Sequence, residues 1–244
     1  MNTTLSIIIP AFNEEERIAN TLFEYHEYLS NNELDFEIVV VDDGSSDGTV
    51  AKVNQLKQVL PYVSIVESKP NRGKGFAVRI GMLLAKGQFR CMVDADCSMH
   101  PDQLKKLLEP VMTGKANIAI GSRYLKGSST DGRQPMWRVG WSRLANFFVR
   151  ATLLPGIKDT QCGFKVFTAA SAESIFKLAT IDGWSFDLEA LAIAMQQGLT
   201  IKEVPIHWTD DGRTRVSAAS DFFKVIAEWI KIIRLPKSKW TLES

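Results

Sequence analysis

Short, continuous apolar runs alternate with longer amphipathic stretches through the first half of the chain. Ser6–Ile9, Glu37–Val41, Val63–Val66, Phe89–Val93 and Ile118–Ile120 have the length and apolar content of buried strands. Helical patterning fills the intervals, near residues 14–30, 47–60, 75–86 and 101–113. Strand and helix in turn build βαβ units, so an α/β fold is expected: a mostly parallel central sheet with helices on both faces. Ligands of such sheets bind at the carboxyl ends of the strands. The residues that end each apolar run are therefore the first place to look for chemistry.

The alternation stops near residue 122. A Gly/Ser/Asp-rich loop at 127–133 leads to two helical stretches of a different kind, 137–154 and 218–234, with a motif-rich segment between them. In the first, Arg138, Ser142, Asn146 and Arg150 form a polar stripe spaced by four, while Trp137, Trp141, Leu144, Phe147, Phe148, Leu153 and Leu154 cover the remainder. The second confines Asp221, Lys224, Glu228 and Lys231 to a strip among Phe222, Phe223, Ile226, Trp229, Ile230 and Ile233, with Lys237 and Lys239 beyond it. Wide apolar faces with aromatic and basic anchors suit the boundary between lipid headgroups and acyl chains. Packing into the core, or against a second copy of the chain in a homodimer, accounts for the same pattern. No repeat and no low-complexity tract interrupts residues 1–244, which are expected to fold as a single domain.

Composition narrows the partners. At 244 residues, 45% hydrophobic and 23% charged, the chain can bury a substantial core. Its 29 basic and 28 acidic residues nearly cancel, to +1, so no nucleic acid partner is expected and any attraction to anions must be local. Cys91, Cys97 and Cys162 are odd in number and lack CxxC spacing, which argues against a disulfide framework or structural zinc site and suits a reducing cytosol. No basic segment followed by a long apolar one marks a signal peptide, and no run approaches the roughly 20 apolar residues that span a bilayer. The expected setting is cytoplasmic, with peripheral attachment to a membrane surface.

Two of the expected strands end in carboxylates. Asp42-Asp43-Gly44-Ser45 follows Val39-Val40-Val41, and Asp47 is placed to cap the next helix. Asp43 and Ser45 have the character of turn and cap residues. Asp42 is the stronger candidate for accepting hydrogen bonds from a base or ribose, as acidic residues do in other nucleotide-binding α/β folds. Cys91-Met92-Val93 ends in Asp94-Ala95-Asp96. Carboxylates one residue apart repel, and one pKa rises unless a cation lies between them. Mg²⁺ takes one or two protein carboxylates and completes its shell with water and phosphate oxygens; a pair of solvated turn aspartates is the plainer alternative.

Gly73-Lys74-Gly75 has neither GxxxxGK[ST] nor GxGxxG spacing, so ATP hydrolysis and nicotinamide chemistry are poor fits. Its glycines either bring the backbone close to an anion at a helix start or simply join loop to helix. Arg123 follows the fifth strand, and Arg138 and Arg143 begin the next helical stretch. Guanidinium forks at these positions suit phosphate, although arginines on a membrane-facing helix serve headgroups equally well. His26, His100 and His207 fall in no motif.

Taken in order, Ile7-Ile8-Ile9-Pro10-Ala11-Phe12-Asn13-Glu14, Asp42-Asp43-Gly44-Ser45, Asn71-Arg72-Gly73-Lys74-Gly75 and Asp94-Ala95-Asp96 resemble the family-2 glycosyltransferases with the single-domain, Rossmann-like GT-A fold, over nearly the whole chain. Gly121-Ser122-Arg123-Tyr124, Asp159-Thr160-Gln161-Cys162-Gly163-Phe164-Lys165 and Trp184-Ser185-Phe186-Asp187-Leu188-Glu189 narrow the resemblance to enzymes that load a polyprenyl or dolichyl phosphate with one sugar. The Gln161-to-Lys165 form is closest to the dolichyl-phosphate glucosyltransferase branch. The resemblance implies that Pro10, Phe12 and Glu14 line a base and ribose pocket with Asp42 and Asp43. It also implies that Gly73, Lys74, Ala95 and Arg138 border the donor, and that Asp94 and Asp96 hold Mg²⁺ or Mn²⁺ against its diphosphate. Arg213 and Arg215 resemble the late basic loop that closes on bound donor. Ser98 is the candidate third metal ligand, a departure from mannosyltransferase relatives, which often carry a glutamine there.

The implied activity is inverting, metal-dependent transfer of glucose from UDP-glucose to a polyprenyl or dolichyl phosphate at the cytoplasmic membrane face. Residues 1–122 would bind nucleotide, and 123–244 would bind the acceptor and face the membrane. In-line displacement needs a positioned nucleophile, a stabilised leaving group and exclusion of water. A lipid phosphate arrives ionised, whereas a sugar hydroxyl needs a general base. Asp187 and Glu189 are the carboxylates expected to orient the acceptor or act as that base, unless they only cap their helix. GDP-mannose as donor or a soluble saccharide as acceptor would keep the enzyme class; a non-catalytic sugar-nucleotide-binding protein would keep only the fold. Intact Asp94, Asp96 and Arg123 argue for activity.

Overall fold

The computed structural model describes residues 4–131, 148–209 and 220–240. Arg138, Arg143, Arg213, Arg215 and the 137–147 portion of the first amphipathic stretch lie outside the described residues, as do the side chains of Asp221, Phe222, Phe223 and Lys237.

The five strands expected in the first half are all present: β1 (Leu5–Ala11), β2 (Phe36–Asp42), β3 (Val63–Glu67), β4 (Phe89–Met92) and β5 (Ile118–Ser122). A short β6 (Ser129–Asp131) precedes β7 (Lys165–Thr168), β8 (Ile201–Pro205) and β9 (His207–Thr209). Seven of these form one sheet in the order β3-β2-β1-β4-β7-β5-β8, and β6 pairs with β9 in a separate parallel ribbon. All seven residues of β1 are buried, as a central parallel strand covered on both faces requires. Ile7 and Ile9 enter one hydrophobic cluster and Ile8 the other, the period-two alternation of an extended chain.

The helices divide between these two faces. α1 (Ile18–Asn31), α2 (Thr49–Leu56) and α4 (Leu104–Met112) pack Leu22, Tyr25, Val53 and Leu107 on the side of Ile7 and Ile9. α3 (Lys74–Leu84), α5 (Ala169–Phe176) and α6 (Phe186–Gln196) pack Val78, Met82, Ile175 and Leu191 on the side of Ile8. α6 is buried at every position from Phe186 to Ala194, so no amphipathic stripe marks it in the sequence. α7 (Ser220–Arg234) docks through Ile232 and Trp229 onto the second cluster and leaves Ile230 and Ile233 exposed. Among the described residues no helix is long and apolar enough to cross a membrane.

Two topological features place the site. The chain proceeds from β1 to β2 and β3 on one side and to β4 on the other, and that reversal opens a crevice at the carboxyl ends of β1 and β4. β7 then inserts antiparallel between β4 and β5, pairing Lys165 with Met92 and with Ile120. Its amino-terminal end therefore lies at the carboxyl ends of its neighbours, which brings the preceding Asp159-to-Phe164 loop to the crevice.

Candidate active site

The crevice widens into a cleft of about 530 Å³, within the size range of small-ligand sites. Pro10, Phe12 and Glu14 line it from the end of β1, Asp94, Ala95 and Asp96 from the end of β4, and Asp43 from the end of β2. Gly73 and Lys74 enter at the start of α3, and Trp184 from the loop before α6. Residues separated by more than 170 positions thus converge because parallel strands deliver all their carboxyl ends to one edge.

Asn13 holds the first wall in the left-handed region, with φ of 57°. Its Oδ1 accepts from the Ser46 backbone N–H at 2.8 Å, and Glu14 N–H donates to Thr49 Oγ1 at 2.7 Å, which ties the end of β1 to the loop after β2. Asp47, expected as the cap of α2, stands one residue before its N-cap Gly48 and accepts from Thr49 N–H at 3.0 Å. The Glu14 carboxylate is gripped by Arg17 through Nε and Nη2, both at 2.7 Å. Arg17 Nη1 also lies 4.0 Å from Asp96 Oδ2, so this arginine, which no motif picks out, joins the wall after β1 to the acidic centre. Its position three residues after Glu14 was the available signal.

Asp42, which ends β2, and Asp43, which follows it, are placed differently. Asp42 is fully buried, and its carboxylate accepts from Gly44 N–H, Ser45 N–H and Ser45 Oγ. It is a turn-forming group with its oxygens directed into the chain, not into the cleft. Asp43 lines the cleft and accepts from Arg72 N–H at 3.0 Å and Gly73 N–H at 2.6 Å. Burial raises its pKa above the ordinary carboxylate value, against those two backbone hydrogen bonds.

The acidic centre is built around Asp94. Its Oδ1 meets Lys74 Nζ at 2.6 Å. Burial disfavours the Lys74 ammonium, but Asp94, Asp187 and Asp96 outweigh it and raise the lysine pKa. Asp96 is pushed up first by burial and then by the charge of Asp94, the electrostatic cost expected of a carboxylate pair. Ser98 is buried and donates its backbone N–H to Asp96 Oδ1 at 3.0 Å; it braces Asp96 and is not among the residues lining the cleft. Thr21 and Tyr25 of α1 hold the loop from below, donating to the carbonyls of Ala95 at 2.7 Å and Met99 at 2.8 Å. Gly163 completes the support, since a Cβ there would overlap the Asp94 carboxylate. Two hard oxygen donors that already draw an ammonium and a guanidinium fit a divalent cation. Among the described residues no group of three His, Cys, Asp or Glu gathers for a metal.

The second half of the chain departs from expectation at three positions. Arg123 donates to Asp159 through its backbone N–H, Nε and Nη2 at 2.8–3.0 Å. Burial opposes its charge, yet Asp159 raises the arginine pKa; the guanidinium clamps the 159–164 loop and does not line the cleft. Asp187 is buried and pairs at 2.7 Å with Lys165 Nζ, which also donates to the Cys162 carbonyl at 2.5 Å. A buried charge requires such a partner, and the pair joins α6 to the loop beneath Asp94. Glu189 is fully buried, and both oxygens accept from residues 180 and 181. Neither carboxylate faces the cleft. In a segment the sequence marks only as a motif, Gly163 lies against Asp94, while Asp159 and Lys165 hold the loop on either side of it.

Residues 6–176 match the glycosyl transferase family 2. The dolichyl-phosphate beta-glucosyltransferase of Dictyostelium discoideum is 31% identical over 255 residues, covering 100% of this chain and 78% of that protein. The enzyme of the same description from Saccharomyces cerevisiae is 33% identical over 252 residues, covering 95% of this chain and 74% of its own. The human one is 33% identical over 219 residues, covering 84% and 67%. Among solved structures, glucosyl-3-phosphoglycerate synthase from Mycobacterium tuberculosis, in complex with Mn²⁺, UDP-glucose and phosphoglyceric acid, superimposes with a TM-score of 0.70. It is 20% identical, with 96% of this chain and 81% of that chain covered; at that identity the likeness speaks for the fold.

Proposed function

The chain belongs to glycosyl transferase family 2, and from that premise we propose that it transfers glucose from UDP-glucose to a dolichyl or other polyprenyl phosphate. It is a glycosyltransferase of GT-A fold, which sets aside the non-catalytic binding protein. What supports the sugar and the acceptor is the likeness to dolichyl-phosphate beta-glucosyltransferases; what supports a nucleotide donor is the joining, in one cleft, of the Phe12–Glu14 wall to the Asp94–Asp96 carboxylates with Lys74 beside them. That arrangement offers an apolar and polar surface to a nucleoside next to a charge centre for its diphosphate.

Asp94 and Asp96 would hold Mg²⁺ or Mn²⁺, and the bound cation supplies positive charge to the departing diphosphate. Lys74 and Arg17 add fixed positive charge at the same end of the cleft. The acceptor phosphate is ionised at neutral pH and attacks without a base, in line with the enclosure of Asp187 and Glu189. Displacement in line with the leaving group inverts the anomeric centre. Residues 1–122 supply the nucleotide wall and most of 123–244 the acceptor side, with Trp184 reaching into the donor cleft. The exposed Ile230 and Ile233 of α7 meet the membrane surface that carries the acceptor, and the free thiols of Cys91, Cys97 and Cys162 suit its cytoplasmic side.

A nucleotide thermal-shift panel tests the donor. Saturating UDP with Mn²⁺, at about 100 times its Kd, is expected to add about 2.7 kcal/mol of stability. For a chain of this size that raises the melting temperature by roughly 5–10 °C, and EDTA should abolish most of the shift. A larger shift with GDP would move the donor to a guanine nucleotide.

A further inference from the structure

We infer that Trp184 is the platform on which the donor's hexose ring lies, an assignment that rests on the nucleotide-sugar reading above. The indole is 40% exposed and lines the cleft. Single exposed aromatics are ordinary, but the loop that presents this one is fixed from several directions. Asp182 accepts from Arg72 Nη2 at 2.9 Å and Arg79 Nη2 at 2.5 Å. The Asp182 carbonyl accepts from Phe76 N–H at 3.1 Å, and Ser185 N–H donates to Glu228 Oε2 of α7 at 2.9 Å. Gly73 and Gly75 press so closely on the 181–183 backbone that neither admits a Cβ. Ion pairs, close glycine contacts and a distant helix thus hold still a loop whose large apolar side chain remains in the cleft.

The surroundings of the ring identify its ligand. Phe12 and Trp184 are the two aromatic side chains lining the cleft among the described residues, and Phe12 is 44% exposed at the end of β1. Trp184 stands on the α6 side, where Lys74 Nζ lies 5.6 Å from its ring centroid and 2.6 Å from Asp94 Oδ1. A nucleoside diphosphate hexose has two flat faces, base and pyranose, joined by a charged diphosphate. The pyranose carries C–H groups on one face and hydroxyls around its edge. An aromatic ring covers the first, and the Asp94–Lys74 pair beside Trp184 marks the diphosphate end of the cleft, from which the hexose hangs. With Phe12 at the nucleoside wall, Trp184 beside the Asp94–Lys74 pair takes the sugar.

Calorimetric titration of UDP and of UDP-glucose, each with Mn²⁺, into wild type, Trp184→Ala and Trp184→Phe separates this role from a structural one. Burying one face of the ring corresponds to about a tenfold effect on affinity. Trp184→Ala is expected to weaken UDP-glucose about tenfold and UDP less than twofold, with Trp184→Phe regaining most of the loss. Equal weakening of both ligands, or unchanged UDP-glucose affinity in Trp184→Ala, would overturn the assignment while leaving the donor reading intact. Wild-type protein that binds neither ligand would overturn both. Retained UDP binding certifies the fold of each variant.

Discussion

Asp96→Asn is expected to lower sugar transfer by at least about a thousandfold while the melting temperature of the metal-free protein holds steady or rises. The two effects separate because Asp96 is costly to the fold. Burial and the neighbouring Asp94 raise its pKa. A group raised in the folded state contributes stability that is fully present below its unfolded pKa, near 4, and is lost as pH rises through the folded value. At neutral pH the charged carboxylate therefore works against folding, and a neutral amide of the same shape relieves it. The amide oxygen can still accept the Ser98 N–H. Steady-state transfer and thermal melts on the same preparation check the pair of outcomes. Lost activity together with a melting point several degrees lower would assign Asp96 a structural role instead.

Lys165→Met should be the most damaging single change to stability behind the cleft. It removes the partner of buried Asp187 and a donor to the Cys162 carbonyl. Breaking a buried pair from one side costs about 3–5 kcal/mol, which in a chain of this length lowers the melting temperature by roughly 10 °C. Lys165→Met with Asp187→Leu should recover most of that loss, since an apolar pair leaves no uncompensated charge. The pH dependence has a definite sign. Burial raises the Asp187 pKa, so the deficit of the single variant shrinks as acidification protonates Asp187 and grows toward alkaline pH. Were Asp187 a general base with no structural share, the double variant would lose all activity at unchanged stability.

The strands and helices of the first half were legible because parallel strands buried on both faces leave unbroken apolar runs, and β1 is buried at every position. The acidic centre was legible for a related reason, since Asp94 and Asp96 close such a run at the edge where ligands bind. What remained hidden depends on partners distant in sequence. Asp42 and Asp43 are adjacent, and which of two successive side chains faces the cleft is decided by the turn, where Gly44 takes a φ of 80° and folds the Asp42 carboxylate back on itself. Arg123 reads as a phosphate ligand until Asp159, 36 residues away, neutralises it. α6 carries no amphipathic stripe because it is enclosed on all sides, so nothing in the sequence separates Asp187 and Glu189 as buried, partnered carboxylates from acceptor-orienting ones. β7, four residues long and antiparallel, gives no periodic signal, yet it carries the loop that seats Asp94.

Donor and acceptor are read together by incubating the protein with UDP-[¹⁴C]glucose, Mn²⁺ and a short polyprenyl phosphate, then extracting the product into organic solvent, with GDP-[¹⁴C]mannose as the parallel donor. Label is expected in the organic phase from UDP-glucose alone, abolished by EDTA and absent with Asp96→Asn. Label from GDP-mannose and none from UDP-glucose, or transfer only to water-soluble saccharides, would contradict the proposed transfer.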